Sequence, residues 1–154
     1  MSRIYVASSW RNPYQAQTVK ALRALGHEVY DFKSDAPGYF GGPQPTAFSW
    51  SEMSADWQAW GPAEYRNELL THPRAASGYL GDLRGMEWAD TCLMLLPCGR
   101  SAHIEAGYMK GRGKRLIIMY ADQCREGFEP DLMYLLADNI IIGEAEFGGV
   151  FGFA

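Results

Sequence analysis

Four short, nearly continuous apolar runs punctuate this chain, at Ile4 to Ala7, Thr91 to Leu96, Leu116 to Tyr120 and Asn139 to Ile142, and stretches of helical period lie between them. Runs of that length without polar alternation suit strands buried on both faces, which is how parallel strands covered by helices read. With Glu28 to Phe32 as a further strand, the economical architecture is α/β. It is a doubly wound, flavodoxin or Rossmann-like sheet of five mostly parallel strands in the order 2-1-3-4-5, with helices on both faces. The 154 residues give room for one domain, spanning 1–154, and 47% hydrophobic with 21% charged residues is the balance of a chain that folds.

Charge and cysteine usage narrow the partners. Lys and Arg total 14 against 18 Asp and Glu, a net charge of −4, so there is no basic surplus to neutralise a nucleic-acid backbone or an anionic membrane. Neither polymeric nucleic acid nor a membrane is expected as a partner. The opening Met1-Ser-Arg-Ile-Tyr-Val lacks the h-region of a signal peptide, and no apolar run approaches the roughly 20 residues of a membrane helix. Cys92, Cys98 and Cys124 are an odd set without C-x-x-C spacing, which fits a reduced, cytoplasmic protein. His27, His72 and His103 are too scattered for a metal site, so no metal is expected.

Asn12 is placed to cap a helix with Pro13 in its first turn, and that helix carries Ala16, Val19, Leu22 and Leu25 on one side and stops at Gly26. Residues 33–48, rich in Gly and Pro, read as a long loop and a candidate lid. Ser49-Trp-Ser-Glu52 has capping-box spacing and predicts a helix over 49–60 with Trp50, Met53, Trp57 and Trp60 on one face. That stripe reads first as core or subunit contact, with a base-stacking platform as the alternative. Tyr79 to Ala89 is a further helical stretch.

For the order 2-1-3-4-5, ligands bind where strand order reverses, beyond the carboxyl ends of strands 1 and 3. The loops leaving those strands, Ser8-Ser9-Trp10-Arg11-Asn12 and Pro97 to Gly107, are the densest in small and polar residues. Glu105 is expected in the opening turn of the helix after strand 3, where the helix dipole favours an ionised carboxylate by about 0.3–1 kcal/mol. It reads as a nucleophile, with a simple charge complement to the helix end as the bland alternative. Gly99 and Gly107 leave space for close approach, and Arg100, Ser101 and Arg11 offer donors for an anion. Asp82, on the helix feeding strand 3, supplies a second carboxylate, and two carboxylates on one substrate are the equipment for breaking a glycosidic bond with retention. Asp90 reads as structural, at a helix-to-strand joint. Residues 107–114 read as a helix end and tight turn, since they fit neither a Walker loop nor a G-x-G-x-x-G turn.

On these residues the chain resembles the nucleoside 2-deoxyribosyltransferase family, including its mononucleotide N-glycosidase branch, over roughly its whole length except 33–72. Ile4-Tyr-Val-Ala-Ser-Ser-Trp10 looks like the family's first strand and substrate loop. Gly81-Asp82-Leu83 followed by Ala89-Asp90 looks like its acidic helix, and Ser101-Ala-His-Ile-Glu-Ala-Gly-Tyr108 like the segment holding its nucleophilic glutamate. Pro130-Asp-Leu-Met133 and Ala137-Asp-Asn139 look like the stretch that reaches a neighbouring subunit's site. The resemblance implies a double displacement in which Glu105 attacks C1′ of a 2′-deoxyribonucleoside or its 5′-monophosphate and the deoxyribosyl group passes to another base or to water. It implies that Asp82 serves the leaving base or a sugar hydroxyl, that Tyr5 orients the nucleophile, and that Asp131 and Met133 complete a partner's pocket in a homodimer or higher homo-oligomer. No cofactor is called for, because carboxylates suffice for an oxocarbenium-like transition state. Two positions depart from the family pattern: Gly99 stands where transferases carry a base-binding Asp and mononucleotide hydrolases a phosphate-binding Ser, and Asp131 stands where transferases carry Asn. Ser9 and Arg11 match the hydrolase branch's phosphate loop. A nucleotide-binding module without catalysis is the reading from a different class.

Overall fold

The structure, a computed structural model, describes residues 1–33, 48–123 and 128–152. It divides into two compact units, one formed by Met1–Asp31 with Met86–Ala154 and the other by Phe32–Gly85. The lid expected at 33–48 lies almost wholly outside the described residues.

The first unit is built on a five-stranded, wholly parallel sheet in the order β2-β1-β3-β4-β5, as the apolar runs predict. Its strands are β1 (Arg3–Ala7), β2 (Glu28–Tyr30), β3 (Thr91–Leu96), β4 (Arg115–Tyr120) and β5 (Asn139–Ile142). Successive side chains point to opposite faces of each strand. Ile4, Val6, Val29, Leu93, Leu95, Ile117, Met119 and Ile141 form one face, which packs with Val19 and Leu22 of α1 (Gln15–Ala24) and Phe147 of α5 (Phe147–Phe151). The opposite face presents Tyr5, Tyr30, Cys92 and Met94, all buried, and α4 (Arg100–Gly111) packs over β1, β3 and β4, burying Ala102, Ala106 and Met109. Tyr5 and Tyr30, register partners on β1 and β2, stack with centroids 5.2 Å apart and planes 9° from parallel.

Two joints hold the frame. Asp90 accepts from Arg3 N at 3.0 Å and from Thr91 Oγ1 at 2.8 Å, the structural role its position suggests. α4 ends in a turn at Gly113, whose φ of +78° is one that side chains resist. The following Lys114 donates to the carbonyls of Met86, Glu87 and Ala89 at 2.5, 2.7 and 2.5 Å, gathering the acceptors at the end of the preceding helix.

The second unit corrects one expectation. There is no helix over 49–60. Trp50–Glu52 and Trp57–Ala59 form two separate 3-10 turns, Ser49 makes no side-chain cap, and helices follow as α2 (Pro62–Thr71) and α3 (Pro73–Trp88). Trp, Ser and Asp are weak helix formers, and the Ser54 hydroxyl bonds the Asp56 carboxylate at 2.5 Å, a local bond that competes with helix. The tryptophans meet all the same. Trp50 packs on Phe48, Trp57, Trp60 and Tyr65 with centroids 5.1 to 6.4 Å apart. A Cβ on Gly78 of α3 would stand 3.0 Å from the Phe48 ring, so this glycine lets the cluster close on the helix. The tryptophans thus form a half-buried aromatic cluster.

Candidate functional site

The two loops nominated by topology are tied together at the carboxyl ends of β1 and β3. Ser8 Oγ donates to Leu95 O at 3.0 Å, and Asn12 Nδ2 donates to Leu95 O at 3.3 Å and to Pro97 O at 3.0 Å. The Leu96–Pro97 peptide is cis. Asn12 is buried, and its Oδ1 accepts from Tyr14 N at 2.8 Å, so one amide braces both loops and the start of the next helix. That helix starts at Gln15, later than Asn12 and Pro13 suggest, and Asn12 N donates to Ser9 O to close a turn ahead of it. Trp10 and Arg11 are exposed beside this brace, Ser8 and Ser9 half-buried, and Ser9 Oγ accepts from Arg11 N at 3.2 Å.

Glu105 is half-buried and stands in the second turn of α4, which starts at Arg100 with Gly99 as its N-cap. This corrects the opening-turn expectation. The dipole's effect falls off within the first turn, short of Glu105. The groups that do occupy the first turn are Arg100 and Ser101, both exposed, where they can meet an anion together with the helix's first N–H groups. Glu105 lies on the helix over the Tyr5 face of the sheet, and its charge raises the pKa of Cys92, the register partner of Tyr5. Burial is the first cause of that rise and Glu105 the second. Cys98 is pushed up to about 12 for the same reasons in the same order, so both thiols stay protonated. Asp82 sits half-buried on α3 in the second unit.

A cavity of about 360 Å³ opens at the carboxyl ends of β3 and β4. It contains residues the sequence reading does not single out, chiefly His103 and Tyr134, along with Cys98. His103 Nδ1 is 2.9 Å from Gly99 O and its Nε2 2.9 Å from the Tyr134 hydroxyl, with the two rings stacked at 5.9 Å. Cys98 Sγ is 3.7 Å from His103 Nδ1. Burial, first of all, pushes the Tyr134 hydroxyl up to about 12, helped by neighbouring acidic groups. The only sequence signal is His103 lying two residues before Glu105 and Tyr134 three after Asp131.

Asp131 lines the same cavity and caps the short turn Leu132–Leu136, accepting from Met133 N at 2.7 Å. Met133 is exposed beside the exposed Leu132 and Leu135. Among the described residues, no group of three or more His, Cys, Asp or Glu could hold a metal ion, and no helix is long and apolar enough to cross a membrane.

A solved structure similar to this chain is a 2-deoxyribosyltransferase from the psychrotolerant bacterium Bacillus psychrosaccharolyticus, described as a biocatalyst for nucleoside synthesis. The likeness covers 84% of this chain and 77% of that one, with a TM-score of 0.51 and 19% sequence identity. At that identity what is shown is a shared fold. No family model and no curated protein matches the chain.

Proposed function

We propose that the protein cleaves the N-glycosidic bond of 2′-deoxyribonucleosides and transfers the deoxyribosyl group to another nucleobase, as a nucleoside 2-deoxyribosyltransferase. The observation that carries this reading is the placement of Glu105 on α4, over the face of the sheet that holds Tyr5, beside loops from β1 and β3 that are braced together by Asn12. The fold shared with a 2-deoxyribosyltransferase supports it.

In the proposed reaction a Glu105 carboxylate oxygen forms a bond to C1′ while the bond from C1′ to the base nitrogen breaks. The base leaves with a proton supplied by an acid, a role proposed for Asp82, and Tyr5 holds the glutamate. A nitrogen of a second base then displaces the glutamate from C1′ and gives its proton back to the acid deprotonated in the first step, restoring both carboxyl groups and the configuration. Ser8, Ser9, Trp10, Arg11, Gly99, Arg100 and Ser101 would surround the sugar and its 5′ end. No cofactor has a part in these steps. Asp131 and Met133 would extend the site toward a second copy of the chain, and the exposed apolar residues around Met133 support a homo-oligomer.

A second reading, hydrolysis of deoxynucleoside 5′-monophosphates, is favoured by the exposed Arg11 and Arg100 and by Ser101 in the first turn of α4. One experiment separates the two. The protein is incubated with deoxynucleosides and with their 5′-monophosphates, with and without a free acceptor base, and the products are resolved by chromatography. New nucleoside that forms only with acceptor supports transfer, and free base released without acceptor supports hydrolysis. Neither product from any substrate would remove both readings and leave a nucleotide-binding module.

A further inference from the structure

The cavity at the carboxyl ends of β3 and β4 lies on the flank of α4 away from Glu105. Ala102, Ala106 and Met109 form the stripe that α4 buries, and at about 100° per residue His103 and Glu105 project to opposite sides of it. His103 takes the side of Tyr134, whose hydroxyl its Nε2 meets at 2.9 Å, and Glu105 is not among the described lining residues. The cavity therefore has a chemistry separate from the proposed deoxyribosyl transfer.

Four aromatic rings line it, from Tyr14, Tyr120, Phe128 and Tyr134, and Phe128 tilts against Tyr120 with centroids 5.5 Å apart. Ring faces carry the negative part of the aromatic quadrupole, which attracts cations. The polar groups have the same sign. Gly99 O can only accept, so His103 Nδ1 carries the proton of the neutral ring, Nε2 accepts from the Tyr134 hydroxyl, and Tyr134 turns only lone pairs to the cavity. Tyr14 likewise spends its hydroxyl proton on Asp122 Oδ2 at 2.9 Å. Asp122 and Glu129 bring carboxylates, and no Lys or Arg is among the described lining residues. Asp131 lines the space too, with one oxygen already accepting from Met133 N at 2.7 Å. Burial first, then acidic neighbours, raise the Tyr120 and Tyr134 hydroxyls above the ordinary range, the direction a negative surrounding imposes.

We propose that this cavity binds a small organic cation, a protonated primary amine on a flat apolar body of the arylalkylamine class. The ammonium N–H groups donate to the Asp122 and Glu129 carboxylates and to the Tyr134 oxygen, and the body packs among the rings. A volume of about 360 Å³ suits a ligand of that size. Aromatic walls favour an organic cation over a metal ion, and among the described residues no group of three or more His, Cys, Asp or Glu could hold a metal. An anion would be repelled here, and a neutral ligand forgoes both the charge-assisted bonds and the attraction of the ring faces.

The test is calorimetric titration of the full chain with 2-phenylethylammonium chloride and, separately, with uncharged 2-phenylethanol. The ammonium ion is expected to bind saturably with a Kd of about 1 mM or tighter, and about tenfold or more tighter than the alcohol. Glu129→Gln and Asp122→Asn keep the shape and remove a charge, so each should weaken the ammonium ion about fivefold or more. Phe128→Leu removes a ring but no charge and should weaken it about threefold. Glu28→Gln, at an exposed carboxylate outside this lining, should leave the affinity unchanged, which separates binding in the cavity from general attraction to a chain of net charge −4. Circular dichroism checks that each variant is folded, and any one of the three cavity variants decides the point if the others are not. Equal binding of amine and alcohol, no saturable binding, a loss as large in Glu28→Gln as in the cavity variants, or no loss in those variants would overturn the proposal. Deoxyribosyl transfer is not part of the readout, so the result stands whether or not the protein performs that reaction.

Discussion

At the scale of single residues, Glu105 is the group on which the proposed chemistry turns. Glu105→Gln keeps the shape and removes the nucleophile, so deoxyribosyl transfer should fall by about a thousandfold or more, measured as kcat, with the thermal midpoint little changed. The sequence shows Glu105 as a carboxylate after a strand, but not which turn of the helix holds it. The helix begins at Arg100 because the chain turns at Gly99, and one residue's spacing from a predicted cap cannot reveal that. Lys114 is a residue whose role no motif announces. Its ammonium satisfies three carbonyls of residues 25 to 28 positions away, a partnership that exists only after folding. Lys114→Met should destabilise the protein by about 1–3 kcal/mol in chemical denaturation, since it strands those acceptors.

Among elements, the brace between the β1 and β3 loops depends on Asn12. Asn12→Ala deletes two donated bonds and one accepted bond from a buried side chain, so a stability loss of about 1–3 kcal/mol is expected by urea denaturation. If those loops form the substrate cleft, KM should rise more than kcat falls, because the brace sets where the substrate sits. The central strands are legible because a parallel strand buried on both faces has to be apolar throughout, as β3 and β4 are, whereas β5 is an edge strand that buries Ile141 and leaves Ile140 and Ile142 exposed. The tryptophan segment reads as helix in the sequence because spacings of three, four and three suit one helical face. Two 3-10 turns bring the same rings around Trp50, and the choice between them is made by the cluster's own packing and by the Ser54–Asp56 bond. α2 and the early start of α3 went unread for a related reason: with no buried residue on α2, there is no apolar stripe to detect.

For the molecule as a whole, acid is expected to loosen the sheet through His27. Its Nδ1 accepts from Ser2 N at 3.1 Å, and its Nε2 is buried without a hydrogen-bond partner. Burial, then the N-terminal ammonium, holds its pKa below the ordinary 6.5, while Asp90 acts in the opposite direction. The unfolded chain therefore takes up this proton before the folded one, so the contribution is complete above pH 6.5 and is lost as pH falls below it. The thermal midpoint should drop between pH 7.5 and 5.5, and His27→Asn, whose side-chain oxygen can still accept from Ser2, should flatten that drop. The proposed shared site makes a second expectation at this scale. Leu132 and Leu135 are 77% and 81% exposed, so a Leu132→Asp, Leu135→Asp double variant should shift light scattering from an oligomer to a monomer if this face joins two copies. The parallel sheet, its strand order and the two loops at the switch point follow from the amino-acid order alone, because burial and chain connectivity act through local apolar runs and leave few other topologies. The turn that holds Glu105, the aromatic cluster around Trp50, and the cavity where His103 meets Tyr134 from 31 residues away emerge only in the folded chain. Those depend on the exact start of a helix, on ring contacts and on a hydrogen bond across the fold, and no periodicity records them.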